Sequence, residues 1–268
     1  MHYRFLALDL DGTLTNSRKV ITEGTKAVLK KYQECGGTVI LASGRPAYGI
    51  LPLAETLELH KYGGYILAFN GGQIINCKNR QVVWQKVMPT EVIADLYKLA
   101  ADNQVTMVTY ENENIITENP DDPYVLKEMA INSMSAKRVD SFVKYVTFPV
   151  AKCLMTGDGE YLAGVEKRAK ETFRDRLSIF RSEPFFLEIM PEGIDKAESL
   201  ERLLTRLGAY REQMAACGDG FNDMTMIEYA GLGIAMENGQ DCVKKAADFI
   251  APSNDKDGVA WVVENKLL

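Results

Sequence analysis

Two carboxylates, Asp9 and Asp11, stand where an apolar run, FLAL, gives way to the turn residues Gly12 and Thr13. Further along come Ser43-Gly44-Arg45, then Lys196 at the head of KAESLERLLTRLG, then GDGFND with Asp219, Asn222 and Asp223. Brought together, these residues would crowd several carboxylates beside one hydroxyl and one ammonium, and their mutual repulsion would call for a cation. No His or Cys is interleaved with them, so an oxygen-bound hard cation such as Mg²⁺ suits the set better than zinc. The chemistry that fits is phosphoryl transfer, in which the protein positions the group and absorbs its charge. One carboxylate would attack phosphorus. A second, two residues on, would protonate the departing oxygen and later activate water. Ser43 and the backbone N–H groups around Gly44 would hold phosphoryl oxygens, with Lys196 as a point cation.

Each motif has a plainer reading by itself. A lone D-x-D or S-G-R is an ordinary turn or helix cap, and GDGFND alone is a surface or calcium-binding loop. Their weight comes from occurring together, each at a predicted strand end or helix start.

Residues 5–8 are apolar throughout, as in a strand covered on both faces. A helix follows over ITEGTKAVLKKYQECGG, then a strand TVILASGR (38–45) ending in small polar residues, a helix around 47–57 and a strand in YILAFNGG. After a different middle stretch the rhythm resumes, with a helix over 196–208, strands in MAACGDG and LGIAM, and helices near 223–230, 241–247 and 259–264. Alternation of this kind predicts an α/β fold, a Rossmann-like doubly wound parallel sheet whose ligands bind beyond the carboxyl ends of the strands. Asp9, Ser43 and Asp219 all stand at such ends. The middle, residues 84–186, has hairpin-like runs with Asn112 and Asn114 as turn candidates, a break at NPDDPY and helices near 91–103 and 161–175. It predicts an inserted α+β module, leaving 1–83 and 187–268 as the core.

With 268 residues, 46% hydrophobic and 25% charged, the composition is that of a soluble globular protein. The formal charge of -6 argues against nucleic acid as a partner. The five cysteines are scattered without a C-x-x-C pair, so reduced, packing thiols in a cytoplasmic protein are expected. The opening MHYRFLALDLDG lacks a signal-peptide core, and charges interrupt every apolar run, so neither secretion nor membrane insertion is expected.

The motifs resemble those of the haloacid-dehalogenase (HAD) superfamily of phosphatases, in its Cof-type, class IIB branch. DLDGTL is similar to the first motif, LASGR to the second, the Lys of GIDKAESL to the third and GDGFNDMTMIEYAG to the fourth; the tail GLGIAMENGQDCVKKAADFIAPSNDKDGVAWVVE is similar as well. The resemblance implies that Asp9 is the nucleophile and Asp11 the general acid/base. It implies Mg²⁺ on Asp9, the main-chain carbonyl of Asp11 and Asp219, with Asp223 helping directly or through water. The phosphoryl group would meet Leu10, Ser43, Gly44, Lys196 and Asn222, with Arg45 as a candidate substrate contact. The second Asp of D-x-D separates the chain from transport ATPases, which resemble D-K-T-G-T. The inserted module falls where class IIB members carry a mobile cap, and Tyr110, Glu111 and Arg181 are candidates there for touching substrate. Asp195 and Ala197, flanking the Lys, depart from the branch's Gly-Val-Ser/Asn-Lys-Gly; Asp195 reads best as a helix cap.

The expected activity is Mg²⁺-dependent hydrolysis of small phosphomonoesters, sugar phosphates foremost, with cofactor and nucleotide phosphates as further candidates, through an aspartyl phosphate. A phosphotransferase or mutase on sugar phosphates is the near alternative, and a phosphate-responsive regulatory module the distant one. The partner is a small phosphorylated metabolite, and the chain a monomer or small homo-oligomer. A Rossmann oxidoreductase is disfavoured, since D-G-T and no G-x-G-x-x-G follows the first strand.

Overall fold

The structure, a computed structural model, describes residues 2–268. Its strands in chain order are β1 (Phe5–Leu8), β2 (Thr38–Ala42), β3 (Tyr65–Ala68), β4 (Gln73–Asn76), β5 (Gln81–Gln85), β6 (Thr106–Glu111), β7 (Asn114–Thr117), β8 (Ser135–Arg138), β9 (Cys153–Thr156), β10 (Leu177–Glu183), β11 (Phe186–Pro191), β12 (Met214–Gly218), β13 (Leu232–Met236) and β14 (Phe249–Ala251). They form two sheets in two compact units, Met1–Trp84 with Asp195–Leu268, and Gln85–Ile194.

The first unit carries an eight-stranded sheet in the order β14-β13-β12-β1-β2-β3-β4-β5. From β14 to β3 every pair is parallel. All four residues of β1 are buried, which explains the unbroken apolar run: a strand with sheet neighbours on both sides and elements on both faces has no place for a polar side chain. Removing one such leucine from water contributes about 2 kcal/mol. The sheet is wider than the sequence rhythm suggests. Beyond β3 the chain doubles back through an antiparallel pairing with β4, and β14 adds a short outer strand. These strands, of 3 to 5 residues, are too short to display a period of two, and QIIN carries a polar residue at each end.

The Lys196–Arg206 helix shows how local pattern aims a functional group. Its buried residues, Lys196, Ser199, Leu200, Leu203 and Leu204, follow the i, i+3, i+4, i+7, i+8 stripe of a core-facing helix. Lys196 is the first member of that stripe, so its side chain enters the interior. Asp195 caps the helix, its carboxylate accepting from the Glu198 N–H at 2.8 Å.

The second unit has a six-stranded sheet, β10-β11-β9-β6-β7-β8, antiparallel throughout except for β7 with β8. The β6–β7 hairpin turns at Asn112 (φ 53°), while Asn114 already belongs to β7. Helices Thr90–Asp102 and Gly159–Phe173 supply Leu96, Leu162 and Phe173 to one apolar cluster with Met107, Met155 and Leu187 from the strands. The NPDDPY break opens a further helix, Pro123–Asn132, because Asp122 accepts from the Tyr124 and Val125 N–H groups and proline suits a first helical turn. This unit ends at Ile194, beyond the expected boundary at 186, because Phe186–Pro191 pairs with both β10 and β9 as an interior strand.

Among the described residues no helix is long and apolar enough to cross a membrane. Cys77, Cys153 and Cys217 are buried free thiols, and burial pushes each up to about 12, so they pack as neutral groups.

Candidate active site

Asp9 is the first residue past β1. Its N–H donates to the Cys217 carbonyl of β12 at 3.0 Å, so the nucleophile candidate is still fastened to the neighbouring strand. Its carboxylate Oδ1 accepts from Lys196 Nζ at 2.7 Å, and the same ammonium donates to Asp223 Oδ1 at 2.5 Å. All three groups are buried, with Lys196 at 0% exposure. An ammonium held so deeply needs a counter-charge within hydrogen-bond reach. Although burial opposes its charge, Asp223 and Asp9 keep Lys196 protonated, above its ordinary value.

Asp219 follows β12. Thr13 Oγ1 donates to its Oδ1 at 2.7 Å, and the Gly12 backbone comes so close that a Cβ there would lie 2.4 Å from Oδ2. With φ at +88°, Gly12 also occupies the left-handed region that a side chain resists. Asp223 Oδ2 accepts from the Asp219 and Gly220 N–H groups, both at 2.9 Å, which closes the GDGFND turn on itself.

Oxygens of Asp9, Asp219 and Asp223 all lie within 4.8 Å of one another. One ammonium cannot neutralise three carboxylates, and the protonation equilibria show the deficit. Burial, then the neighbouring Asp223, pushes Asp9 up to about 8 against the pull of Lys196. Burial likewise pushes Asp219 up to about 6, opposed by the Thr13 hydrogen bond. An all-oxygen donor set with excess negative charge fits a hard divalent cation. Asp223 uses both carboxylate oxygens on Lys196 and backbone N–H groups, whereas Asp9 and Asp219 each keep one oxygen without a hydrogen bond among the described residues.

Asp11 does not share that cluster. Its carboxylate receives Arg45 Nε at 2.8 Å on Oδ2 and Arg45 Nη2 at 2.6 Å on Oδ1, and Lys19 Nζ adds a bond to Oδ1 at 2.7 Å. Burial would raise its proton affinity, but the Arg45 and then Lys19 contacts outweigh it and hold Asp11 below the ordinary carboxylate value. Arg45, expected as a substrate contact, is thus engaged with Asp11.

The other candidates fall into place around these. Leu10 is buried, and its carbonyl accepts from the Thr15 N–H at 2.9 Å and Thr15 Oγ1 at 2.8 Å, which closes the turn after β1. Ser43, just past β2, is buried, and its Oγ accepts from the Arg45 N–H at 3.2 Å. Gly44 lies against Asn70, whose carboxamide would be 3.3 Å from a Cβ there. Asn222 is exposed and donates to Asn70 Oδ1 at 3.0 Å. Asn70, following β3, escaped the sequence reading; its signal is an asparagine followed by two glycines at a parallel strand's carboxyl end. The inserted unit's candidates are engaged within that unit: Tyr110 donates to Glu128 at 2.6 Å, Glu111 accepts from Tyr145 at 2.7 Å and Arg181 donates to Glu166 at 2.9 Å.

One end of the parallel sheet thus gathers three carboxylates around a buried lysine. The chain belongs to the haloacid dehalogenase-like hydrolase family, whose model matches residues 6–263. It is similar to a haloacid dehalogenase-like hydrolase of known crystal structure from Bacteroides thetaiotaomicron, at 48% identity over 98% of both chains and a TM-score of 0.96. It is 29% identical to YxeH of Bacillus subtilis, provisionally named a phosphatase, over 99% of each chain. It is also 28% identical to 5-amino-6-(5-phospho-D-ribitylamino)uracil phosphatase YcsE of the same organism, over 99% of this chain and 96% of that one.

Proposed function

We propose that this hydrolase is a Mg²⁺-dependent phosphatase that cleaves small phosphomonoesters, sugar phosphates foremost, through an aspartyl phosphate on Asp9. The observation that carries the reading is Asp9 itself. It is a carboxylate at a strand end, bound on one oxygen by a buried lysine and open on the other, with Asp219 beside it and a second carboxylate two residues away.

Asp9 and Asp219 would hold the cation, with the Asp11 carbonyl implied by family resemblance and Asp223 acting through its neighbours. A bound Mg²⁺ supplies charge neutralisation of the phosphoryl oxygens and keeps the Asp9 carboxylate ionised. The open oxygen of Asp9 attacks phosphorus while the bond to the leaving oxygen breaks, and that oxygen takes a proton from Asp11. Asp11 then removes a proton from water, whose oxygen attacks phosphorus and returns Asp9 as carboxylate with release of inorganic phosphate. Lys196 holds the attacking carboxylate in place and balances its charge. Ser43, Asn222 and the Leu10 and Gly44 backbone are the proposed phosphoryl contacts. By its place in the chain, between the second and third motifs, the inserted unit is the proposed cap.

Turnover of p-nitrophenyl phosphate with Mg²⁺, lost in Asp9→Asn while the fold is kept, is the expected result. Full activity in that variant would sink the mechanism. Transfer of the phosphoryl group to a sugar hydroxyl, without release of phosphate, would replace hydrolysis by a transferase reaction.

A further inference from the structure

Strand β3 ends at Ala68, and the two residues after it, Phe69 (φ 54°) and Asn70 (φ 53°), both take the left-handed conformation without being glycine. Two such residues in succession are uncommon, and the bulky phenylalanine suits the region least. Strain of this kind persists only where the surroundings over-determine it.

The surroundings here are the other motifs. Phe69 N–H donates to the Arg45 carbonyl at 3.0 Å, and Asn70 N–H to the Ser43 carbonyl at 2.8 Å. The Asn70 carboxamide accepts from Asn222 of GDGFND at 3.0 Å. The Gly71 carbonyl accepts from Ser199 Oγ at 2.8 Å, on the helix that begins with Lys196. A single turn therefore joins the Ser43–Arg45 segment, the Asn222 turn and the lysine helix. Glycine would take the left-handed backbone of position 70 without cost. What asparagine adds is the carboxamide, and that carboxamide meets Asn222.

We propose that Asn70 is a positioning residue of the hydrolytic site, setting Asn222 and the Ser43–Arg45 segment in register for the phosphoryl group. The inference rests on the phosphatase reading above. Asn70→Gly separates it from a merely structural role, because glycine relieves the backbone strain while deleting the carboxamide. The unfolding midpoint of Asn70→Gly is expected to equal or exceed that of the wild type, while kcat/KM for p-nitrophenyl phosphate falls about tenfold, the scale of one lost hydrogen bond. Asn222→Ala should cost a similar factor, and the double variant should be within about twofold of Asn222→Ala alone, because Asn70 acts through Asn222. Wild-type kcat/KM in Asn70→Gly, or two effects that multiply independently, would overturn the proposal. A wild type without turnover would remove the phosphatase reading instead. The inference is then read from binding of inorganic phosphate in Mg²⁺ buffer by calorimetry: about tenfold weaker binding in Asn70→Gly upholds it, and equal or absent binding in both proteins overturns it.

Discussion

Arg45 grips Asp11 with two parallel hydrogen bonds, Nε to Oδ2 at 2.8 Å and Nη2 to Oδ1 at 2.6 Å, and the pair is 14% and 35% exposed in its side chains. A planar guanidinium on a carboxylate fixes both orientation and charge, which a lysine cannot do. Asp11 is thereby kept ionised and turned toward Arg45, the opposite of what a proton donor needs. On the proposed mechanism the grip has to loosen when Asp11 takes up the proton it would give to the leaving group.

Arg45→Ala is accordingly expected to leave stability within about 1 kcal/mol, since a partly exposed pair contributes little. It should lower kcat/KM for p-nitrophenyl phosphate about tenfold by freeing the orientation of Asp11. Arg45→Lys should recover little, because one point charge does not replace two directed bonds. Steady-state kinetics with denaturant melts checks both; wild-type kinetics in Arg45→Ala would show the grip to be incidental.

Lys196→Met should be the most destabilising change at the site. It leaves Asp9 and Asp223 buried with no counter-charge, a loss of about 3 to 5 kcal/mol in proteins where one partner of a buried pair is removed. Asp9→Asn, which lessens the same crowding of carboxylates, should by contrast melt no lower than the wild type while losing turnover. Thermal melts of the two variants without metal would show the opposite signs; equal losses would contradict this account of the charges.

Gly12→Ala tests the close approach of the two distant loops. The new Cβ would sit 2.4 Å from an Asp219 oxygen on a backbone at φ +88°. Displacing Asp219 should raise the Mg²⁺ concentration needed for half-maximal activity at least tenfold and lower kcat about a hundredfold. A metal titration of the activity decides it.

The inserted unit offers a pH signature independent of the cluster of Asp9, Asp219 and Asp223. Glu128 is buried, and its carboxyl is raised above 4.5 by burial, opposed by Lys152 and the Tyr110 hydrogen bond and reinforced by Glu188. For a carboxyl whose folded value lies above its unfolded one, the protonated form suits the fold. Its contribution is therefore fully present below about pH 4.5 and is lost as pH rises through the folded value. Glu128→Gln keeps an acceptor for Tyr110 but cannot ionise. The variant should gain stability relative to the wild type as pH rises above about 4.5, and urea melts across pH 4.5–8 should show the two curves separating in that direction.

Much of this was legible along the chain. The apolar FLAL run announced a strand buried on both faces, the alternation of strands and helices announced a parallel sheet, and the D-x-D, S-G-R and GDGFND segments stood at strand ends where such sheets place their ligands. The helix over 196–208 was legible as well, although the inward aim of Lys196 emerges only with its buried stripe in the fold. These are properties of period and residue type, which the sequence determines by itself.

What only the tertiary structure decided is who meets whom. Asp9 and Lys196 are 187 residues apart and share a hydrogen bond because the Lys196 helix packs Leu200, Leu203 and Leu204 in one cluster with Phe5 and Ala7 of β1. Arg45 pairs with Asp11 because the β1 and β2 ends lie side by side, and nothing in S-G-R names that partner. The extension through β4 and β5 and the left-handed turn at Asn70 were likewise invisible, since short strands show no period and backbone strain shows only where neighbouring segments enforce it. Residue types supplied the chemical groups, and long-range packing chose which of them face one another.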